Sequence, residues 1–465
     1  MAPKFGTSGL RGLVTELTAD LITDYTRAFL EACPTGGTVH VGWDLRPSSP
    51  AISEMVIAAI RAAGIAAVRE GALPTPALAL SAMEAGHAAI MVTGSHIPAD
   101  RNGLKFYVPG GEITKEDERE ILMRLGQDWE IALRPGALTE GTQSAENYIA
   151  RYVSGFGTDA LAGMRIGIYE HSSVARDILI ATVQQLGAQP VPLARSDTFI
   201  PVDTEAVDPA TRTRLATWCA EHALDALIST DGDADRPMVT DGTGQIVPGD
   251  VLGALTAQAL GAQILCTPIS SNTMIDAMPE FARIERTKIG SPFVIAAMES
   301  ALLADPQAKV VGFEPNGGFL LGFTAQGPAG PIAPLATRDC LLPILAPLTA
   351  AARAGISLSE LVERLPARFT AADRLAEIPT DRSAALIEAL ASDPAQCAGF
   401  FDTLGKAEEM DRTDGLRLRF ASGEIVHLRP SGNAPECRCY AEADSPERAR
   451  ALVEIHLGKL RDRLG

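Results

Sequence analysis

Short β-branched apolar runs recur along the chain, and each ends in a Gly- and polar-rich loop with a helical pattern nearby. Val39-His40-Val41-Gly42-Trp43 leads into Asp44-Leu45-Arg46, and Ala88-Ala89-Ile90-Met91-Val92 into Thr93-Gly94-Ser95-His96. Arg165-Ile166-Gly167-Ile168-Tyr169 leads into Glu170-His171-Ser172-Ser173, and the run 224–230 into Asp231. Val310-Val311-Gly312-Phe313 leads into Glu314-Pro315-Asn316-Gly317. Strands alternating with helices predict α/β layers, in which functional loops sit at the carboxyl ends of strands. Helical patterning is expected over 50–63, with Ser48 or Ser49 as cap, and over 174–186, 211–221, 249–260, 292–303 and 338–353. Segments 134–146 and 243–249 are candidate linkers, and the pattern changes again near 365–380. Beyond that it becomes α+β. Strands are expected at 414–420, 424–428 and 436–442, then a helix over 446–461 with Ser445 as N-cap and Pro446 in its first turn.

At 465 residues the chain is too long for one core, so several domains are expected. A formal charge of −18 argues against nucleic acid and anionic membrane as partners. It also requires local cations wherever an anion is to bind. The seven cysteines, at 33, 219, 266, 340, 397, 437 and 439, include no CxxC pair, which predicts a reducing, cytoplasmic setting. Cys437 and Cys439 share one face of an expected strand, where a disulfide between them would be strained. No apolar signal core opens the sequence, and no apolar stretch is long enough to span a bilayer.

Asp231-Gly232-Asp233-Ala234-Asp235-Arg236 carries the strongest chemical signal. On an extended loop the alternate carboxylates point the same way. They resist ionisation unless a cation sits between them, and hard oxygen ligands suit Mg²⁺. An EF-hand lacks its downstream Glu here, and Pro237 blocks a following helix. The remaining alternative is a solvated acidic turn. Ser95 ends a strand beside Gly94, which removes bulk near the hydroxyl. His96 is adjacent and Lys105 lies ten residues on. The second Gly of a GxSxG elbow is absent, so acyl hydrolysis is disfavoured; an ST-turn is the bland alternative. In Arg429-Pro430-Ser431-Gly432-Asn433-Ala434-Pro435 a donor-rich loop follows an arginine able to clamp phosphate, although a hairpin turn explains the Gly-Asn equally well. Glu314-Pro315-Asn316-Gly317-Gly318 offers an acceptor and an amide for reading hydroxyls, or is a simple Gly turn. Phe5-Gly6-Thr7-Ser8-Gly9-Leu10-Arg11-Gly12 reads as a flexible cationic loop without the P-loop pattern.

Together FGTSGLRG, TGSHIPADRNGLKFY, DGDADRP, GFEPNGG and RPSGNAP occur in the order and spacing of the α-D-phosphohexomutase superfamily. The chain resembles its bacterial phosphomannomutase/phosphoglucomutase members over essentially its full length. The resemblance implies three related α/β domains and a smaller α+β domain around a central cleft, divided as 1–140, 141–246, 247–366 and 367–465. It implies a phosphoserine at Ser95, with Asp231, Asp233 and Asp235 holding Mg²⁺ together with that serine, and Arg236 beside them. Arg11, His96 and Lys105 would line the reaction centre, with the proton carrier open between Lys105 and His96. Glu314, Asn316 and Gly317 would read the sugar, with Lys288 also at the substrate. Arg429, Ser431, Gly432 and Asn433 would hold phosphate.

The implied activity is an isomerase, an intramolecular phosphotransferase. It interconverts hexose 1-phosphate and hexose 6-phosphate of mannose and glucose through a bisphosphorylated sugar, with hexose 1,6-bisphosphate as activator. The expected partners are small phosphosugars; no oligomeric state is implied. Within the superfamily, phosphoglucosamine mutase and phosphopentomutase are alternatives. More remote are a metal-dependent sugar phosphatase and a non-catalytic phosphosugar sensor. The sequence departs from the family pattern at Ile97 (usually Asn), Ser291 (often His), Asn316 (often Ser) and Ala434 (acidic or Thr). Gly318 stands where His is frequent and is expected to widen the sugar site.

Overall fold

In a computed structural model, which describes residues 3–6, 9–431 and 435–465, the apolar runs become buried strands. Ala88–Val92, Ala226–Thr230 and Val310–Phe313 are buried at every position. Strands covered on both faces read as continuous apolar runs rather than as alternation. Each lies parallel to a neighbour: Thr38–Trp43, Arg165–His171 and Ile264–Pro268 respectively. Each is followed by a polar loop and an antiparallel return strand: Arg101–Val108, Pro237–Asp241 and Phe319–Leu321. The serine loop, the acidic loop and the Glu314 loop therefore occupy the same position in three sheets of like design.

The first sheet runs Lys4–Phe5, Leu10–Leu13, Arg101–Val108, Ala88–Val92, Thr38–Trp43, Ala66–Ala72, Leu138–Glu140, with Gly111–Glu112 pairing beside Arg101–Val108. The second runs Gln189–Arg195, Arg165–His171, Ala226–Thr230, Pro237–Asp241. The third runs Arg283–Thr287, Ile264–Pro268, Val310–Phe313, Phe319–Leu321, Leu335–Asp339. The fourth is antiparallel throughout: Phe369–Ala376, Glu436–Ala443, Ile425–Pro430, Leu416–Phe420, Ala407–Asp411. This is the expected architecture, three α/β sheets and one α+β unit. One apolar cluster passes from Leu78 through Tyr148, Ile168 and Phe313 to Leu345, so the first three units share a core. The fourth packs its own around Phe400, Leu418, Val426 and Leu452.

Several local expectations are corrected. The 134–146 segment is not a free linker, because Leu138–Glu140 adds a parallel strand beside Ala66–Ala72. The helix expected over 338–353 spans Leu341–Ala354. Its anticipated start is strand Leu335–Asp339, whose Thr337, Arg338 and Asp339 are buried polar groups with partners far along the chain. Ser48 precedes helix Ser49–Ala62 without a side-chain capping bond. Both serine hydroxyls instead accept from Asn102 Nδ2, at 2.8 and 2.9 Å. By contrast Ser445 does cap Pro446–Leu464, accepting from the Arg448 N–H at 3.3 Å; such caps are worth about 1 kcal/mol. Arg11 lies not on a flexible loop but on strand Leu10–Leu13, opposite Gly103. All seven cysteines are free thiols, Cys437 and Cys439 included.

Candidate active site

Ser95 is buried at the end of Ala88–Val92 with φ of 54°, a strained value for a residue other than Gly. Its N–H donates to Thr93 Oγ1 at 2.7 Å. The loop is gripped by Arg46, a residue that the motifs did not mark. Arg46 Nη2 donates to the carbonyls of Ser95 (2.8 Å) and Ile97 (2.6 Å), and Nη1 to those of Pro98 (2.6 Å) and Arg101 (3.0 Å). Its Nε pairs with buried Asp44 at 3.1 Å, and its guanidinium lies over the Phe199 ring at 4.1 Å. Gly94 makes room for this arginine rather than for the serine hydroxyl: a Cβ there would meet Arg46 Cζ at 2.7 Å. The signal in the sequence was Asp44-Leu45-Arg46 itself, another polar loop at a strand end.

Ser95 Oγ donates to Asp231 Oδ2 at 2.7 Å. Asp231, Asp233 and Asp235 are fully buried, and one oxygen from each lies within 4.8 Å of the others. Their convergence comes from a tight turn, not from extended alternation. Ala234 takes φ of 59°, and its N–H bonds the Asp231 carbonyl at 3.3 Å. Lys105, on strand Arg101–Val108, bridges Asp233 Oδ2 and Asp235 Oδ2 at 2.6 Å each. Thr75 Oγ1 donates to the same Asp233 oxygen at 2.6 Å. Arg338 Nη2 reaches Asp235 Oδ2 at 2.8 Å, and Arg236 Nε lies 3.7 Å from Asp235 Oδ1. Arg11, Lys105, Arg236 and Arg338 thus supply the local positive field that an anionic chain needs to accept an anion.

The charges shape one another. Burial, with Asp233 and Asp235 beside it, pushes the Asp231 carboxyl well above the usual range. Burial also opposes the charge on Asp235, but Arg338, Lys105 and Arg236 outweigh it and hold that carboxyl low. Burial, then Arg236, lowers the Arg11 guanidinium to about 10. Burial, then Arg236 and Arg11, holds the His96 imidazole well below the histidine range. Arg236 Nη1 stands 3.0 Å from His96 Nδ1, which must accept, so the ring is neutral with its proton on Nε2. Ser95 Oγ stands 3.4 Å from the same nitrogen.

The donor set fits a hard divalent cation. Asp233 Oδ1 and Asp235 Oδ1 are buried without a hydrogen-bond donor. Such atoms carry a desolvation cost that an ion would remove. Three carboxylates and a serine oxygen are ligands of the class that Mg²⁺ takes.

The other expected site residues sit around this centre. Glu314 and Asn316 are buried in the turn between Val310–Phe313 and Phe319–Leu321. The Asn316 amide oxygen accepts from its own turn, the Gly318 N–H, at 3.0 Å. Gly317, with φ of 91°, packs against Pro237 just after the acidic loop. Gly318 does not widen the site, because the Arg338 side chain lies against it. Arg429 is the penultimate residue of strand Ile425–Pro430, and its Nε pairs with Asp414 Oδ2 at 2.9 Å. The same oxygen accepts the Ile289 N–H at 2.9 Å, which ties the Lys288 loop to the fourth unit. Lys288 itself is exposed, its ammonium 6.0 Å from the Phe293 ring centre. Ser431 is buried, its N–H bonded to the Glu436 carbonyl. Gly432 and Asn433 lie outside the described residues. Among the described residues, no helix is long and apolar enough to cross a membrane.

Comparisons with known proteins show the family. Family models for phosphoglucomutase/phosphomannomutase match in order: alpha/beta/alpha domain I at residues 2–129, domain II at 146–244, domain III at 248–369 and the C-terminal domain at 374–456. A phosphomannomutase of Sinorhizobium fredii is 46% identical, the match covering 99% of each chain. A phosphomannomutase of Salmonella muenchen is 45% identical over 99% of this chain and 96% of its own. The crystal structure of a phosphoglucomutase/phosphomannomutase family protein from Burkholderia thailandensis shares the fold. Its TM-score is 0.78 at 22% identity, covering 98% of this chain and 96% of that one. With four domain models in register and full-length relatives above 40% identity, the chain belongs to the phosphoglucomutase/phosphomannomutase family.

Proposed function

We propose that the chain is an isomerase interconverting hexose 1-phosphate and hexose 6-phosphate, with mannose phosphate as substrate and glucose phosphate as a second one. The observation that carries this is the Ser95 hydroxyl bonded to Asp231 inside a buried acid triad ringed by cations. The full-length relatives named phosphomannomutase support the choice of sugar. We retain the division at 1–140, 141–246, 247–366 and 367–465, supported by one principal sheet in each part. The free thiols support a cytoplasmic setting.

In this reading Ser95 carries the phosphoryl group, placed there by hexose 1,6-bisphosphate. Asp231, Asp233 and Asp235 would hold Mg²⁺ with an oxygen of Ser95 or of its phosphate. When bound, the ion draws charge off the transferring phosphoryl. A sugar hydroxyl oxygen attacks phosphorus as the bond to Ser95 Oγ breaks. The hydroxyl proton passes to a group beside Ser95, and the choice stays open between His96, whose Nδ1 accepts from Arg236, and Lys105, which is engaged by two carboxylates. The bisphosphate then turns and returns its other phosphoryl to Ser95 Oγ. Arg429, with Ser431, Gly432, Asn433 and the Lys288 loop, holds the phosphate that is not reacting. Glu314 and Asn316 serve the C3 and C4 hydroxyls that mannose and glucose share, so the difference at C2 is read weakly.

A panel of mannose, glucose, glucosamine and ribose 1-phosphates, with Mg²⁺ and a trace of bisphosphate, tests the reading. A preference above about tenfold for glucosamine or ribose phosphate, about 1.4 kcal/mol in the transition state, overturns the sugar assignment. Release of inorganic phosphate in place of hexose 6-phosphate overturns the mutase.

A further inference from the structure

Arg338 lies where three parts of the chain meet. Its Nη2 is 2.8 Å from Asp235 Oδ2 in the acidic loop, and its Nη1 is 3.5 Å from Glu314 Oε2 in the sugar loop. Its Nε is 3.9 Å from Glu112 Oε1, from the first sheet. The guanidinium is buried, so these contacts act with little screening by water. The backbone that presents it is fixed from behind. The Tyr148 and Tyr152 hydroxyls donate to the adjacent Asp339 carboxylate, which also accepts the Leu341 N–H at 3.0 Å. The stem runs over Gly318, where a Cβ would stand 2.7 Å from Arg338 Cδ and 3.0 Å from Cγ. Backbone and stem are both confined, so a side chain at 318 displaces the arginine.

We propose that Arg338 is a positioning residue for substrate recognition: it locks the sugar-reading carboxylate Glu314 to the acidic-loop carboxylate Asp235, and Gly318 is side-chain-free so that the arginine stem fits. The inference rests on the mutase reading of the site. A planar guanidinium spans two carboxylates at fixed geometry, whereas a lysine ammonium is a single point charge. A carboxylate held by such a supporting group meets the sugar hydroxyls already oriented, and loosening it weakens binding. Glu314 then holds the hydroxyls in register with the phosphoryl held at Ser95.

The test is steady-state kinetics on mannose 1-phosphate with wild type, R338M, R338K, G318A and the double variant G318A/R338M. Thermal melts and intact-mass detection of Ser95 phosphorylation by hexose 1,6-bisphosphate run alongside. R338M is expected to raise KM at least tenfold while phosphorylation of Ser95 remains detectable, and R338K to recover part of the loss. G318A, which leaves every charge in place, is expected to raise KM as R338M does. The double variant is expected to be no worse than R338M alone, because both changes remove one contact. G318A carries the test if R338M fails to fold. Wild-type KM in R338M or G318A, a lowered melting point with unchanged KM, or additive effects in the double variant each overturn the proposal. A wild type inactive on every hexose phosphate overturns the mutase reading and this inference with it. An active wild type with indifferent variants overturns this inference alone.

Discussion

Ser95 Oγ donates a 2.7 Å hydrogen bond to Asp231 Oδ2 across 136 residues of chain. Two turns in different sheets meet at this bond, each at the carboxyl end of a fully buried strand. Removing the hydroxyl leaves the loop in place, because Arg46 and Thr93 hold its backbone. Ser95→Ala should therefore fold normally. Wild-type protein should gain one phosphoryl group from hexose 1,6-bisphosphate by intact mass, and the variant none. Turnover should fall by on the order of 10³-fold or more. An unchanged rate would refute the phosphoserine.

Arg46 is the counterpart on the backbone side. Arg46→Met leaves buried Asp44 with the Ser49 and Thr93 hydroxyls but without its cation, and four loop carbonyls lose a donor. Breaking a buried pair by removing one partner costs about 3–5 kcal/mol. Urea unfolding should show a loss of that size, and kcat should fall as Ser95 drifts. Undiminished stability would mean that the grip is ornamental.

Metal removal gives a third expectation. EDTA should abolish turnover, and Mg²⁺ should restore it. Apart from activity, saturating Mg²⁺ at about 100 times Kd should stabilise the fold by about 2.7 kcal/mol. Asp233→Asn should weaken that stabilisation. Equal Mg²⁺-induced shifts in melting temperature for Asp233→Asn and wild type would count against the triad as the site.

Arg429 is held ready by Asp414, which is itself bonded to Ile289. Charge-assisted bonds to phosphate are worth about 1.5–3 kcal/mol each. Arg429→Ala should raise KM at least tenfold while Ser95 still becomes phosphorylated. A wild-type KM would place the second phosphate site elsewhere.

The pH dependence of stability should carry a signature of His427. Its ring is buried, with Nε2 donating to the Asp414 carbonyl at 2.5 Å and Nδ1 without a partner. Burial, with Arg417 and Arg429 nearby, lowers its pKa to about 4. A depressed histidine favours the fold in its neutral form. The contribution is full above about 6.5 and is lost as pH falls toward 4, by at most about 3 kcal/mol. Asp250, pushed up to about 6 by burial, works in the opposite sense over the same range. The difference between wild type and His427→Asn isolates the histidine. Wild type should lose more urea resistance than the variant between pH 7.5 and 5, and parallel curves would refute the assignment.

Much of this was legible in the sequence, and the reason is local. Continuous apolar runs such as Ala88–Val92 and Ala226–Thr230 mark strands buried on both faces, and the residues that follow them mark the loops. Asp231, Asp233 and Asp235 converge within one turn, so their chemistry needs no distant partner to be recognised. The strand Leu335–Asp339 was less legible, because polar Thr337, Arg338 and Asp339 break the apolar signal while being buried. The sequence by itself marked side chains suited, by residue type and short spacing, to phosphoryl transfer and metal binding. Only the tertiary structure decided which distant groups meet them. Lys105 meets Asp233 across 128 residues, Thr75 meets it across 158, and Arg46 meets Ser95 across 49. Which buried charges become partners is set by how three sheets pack, and no local pattern of a chain records that contact.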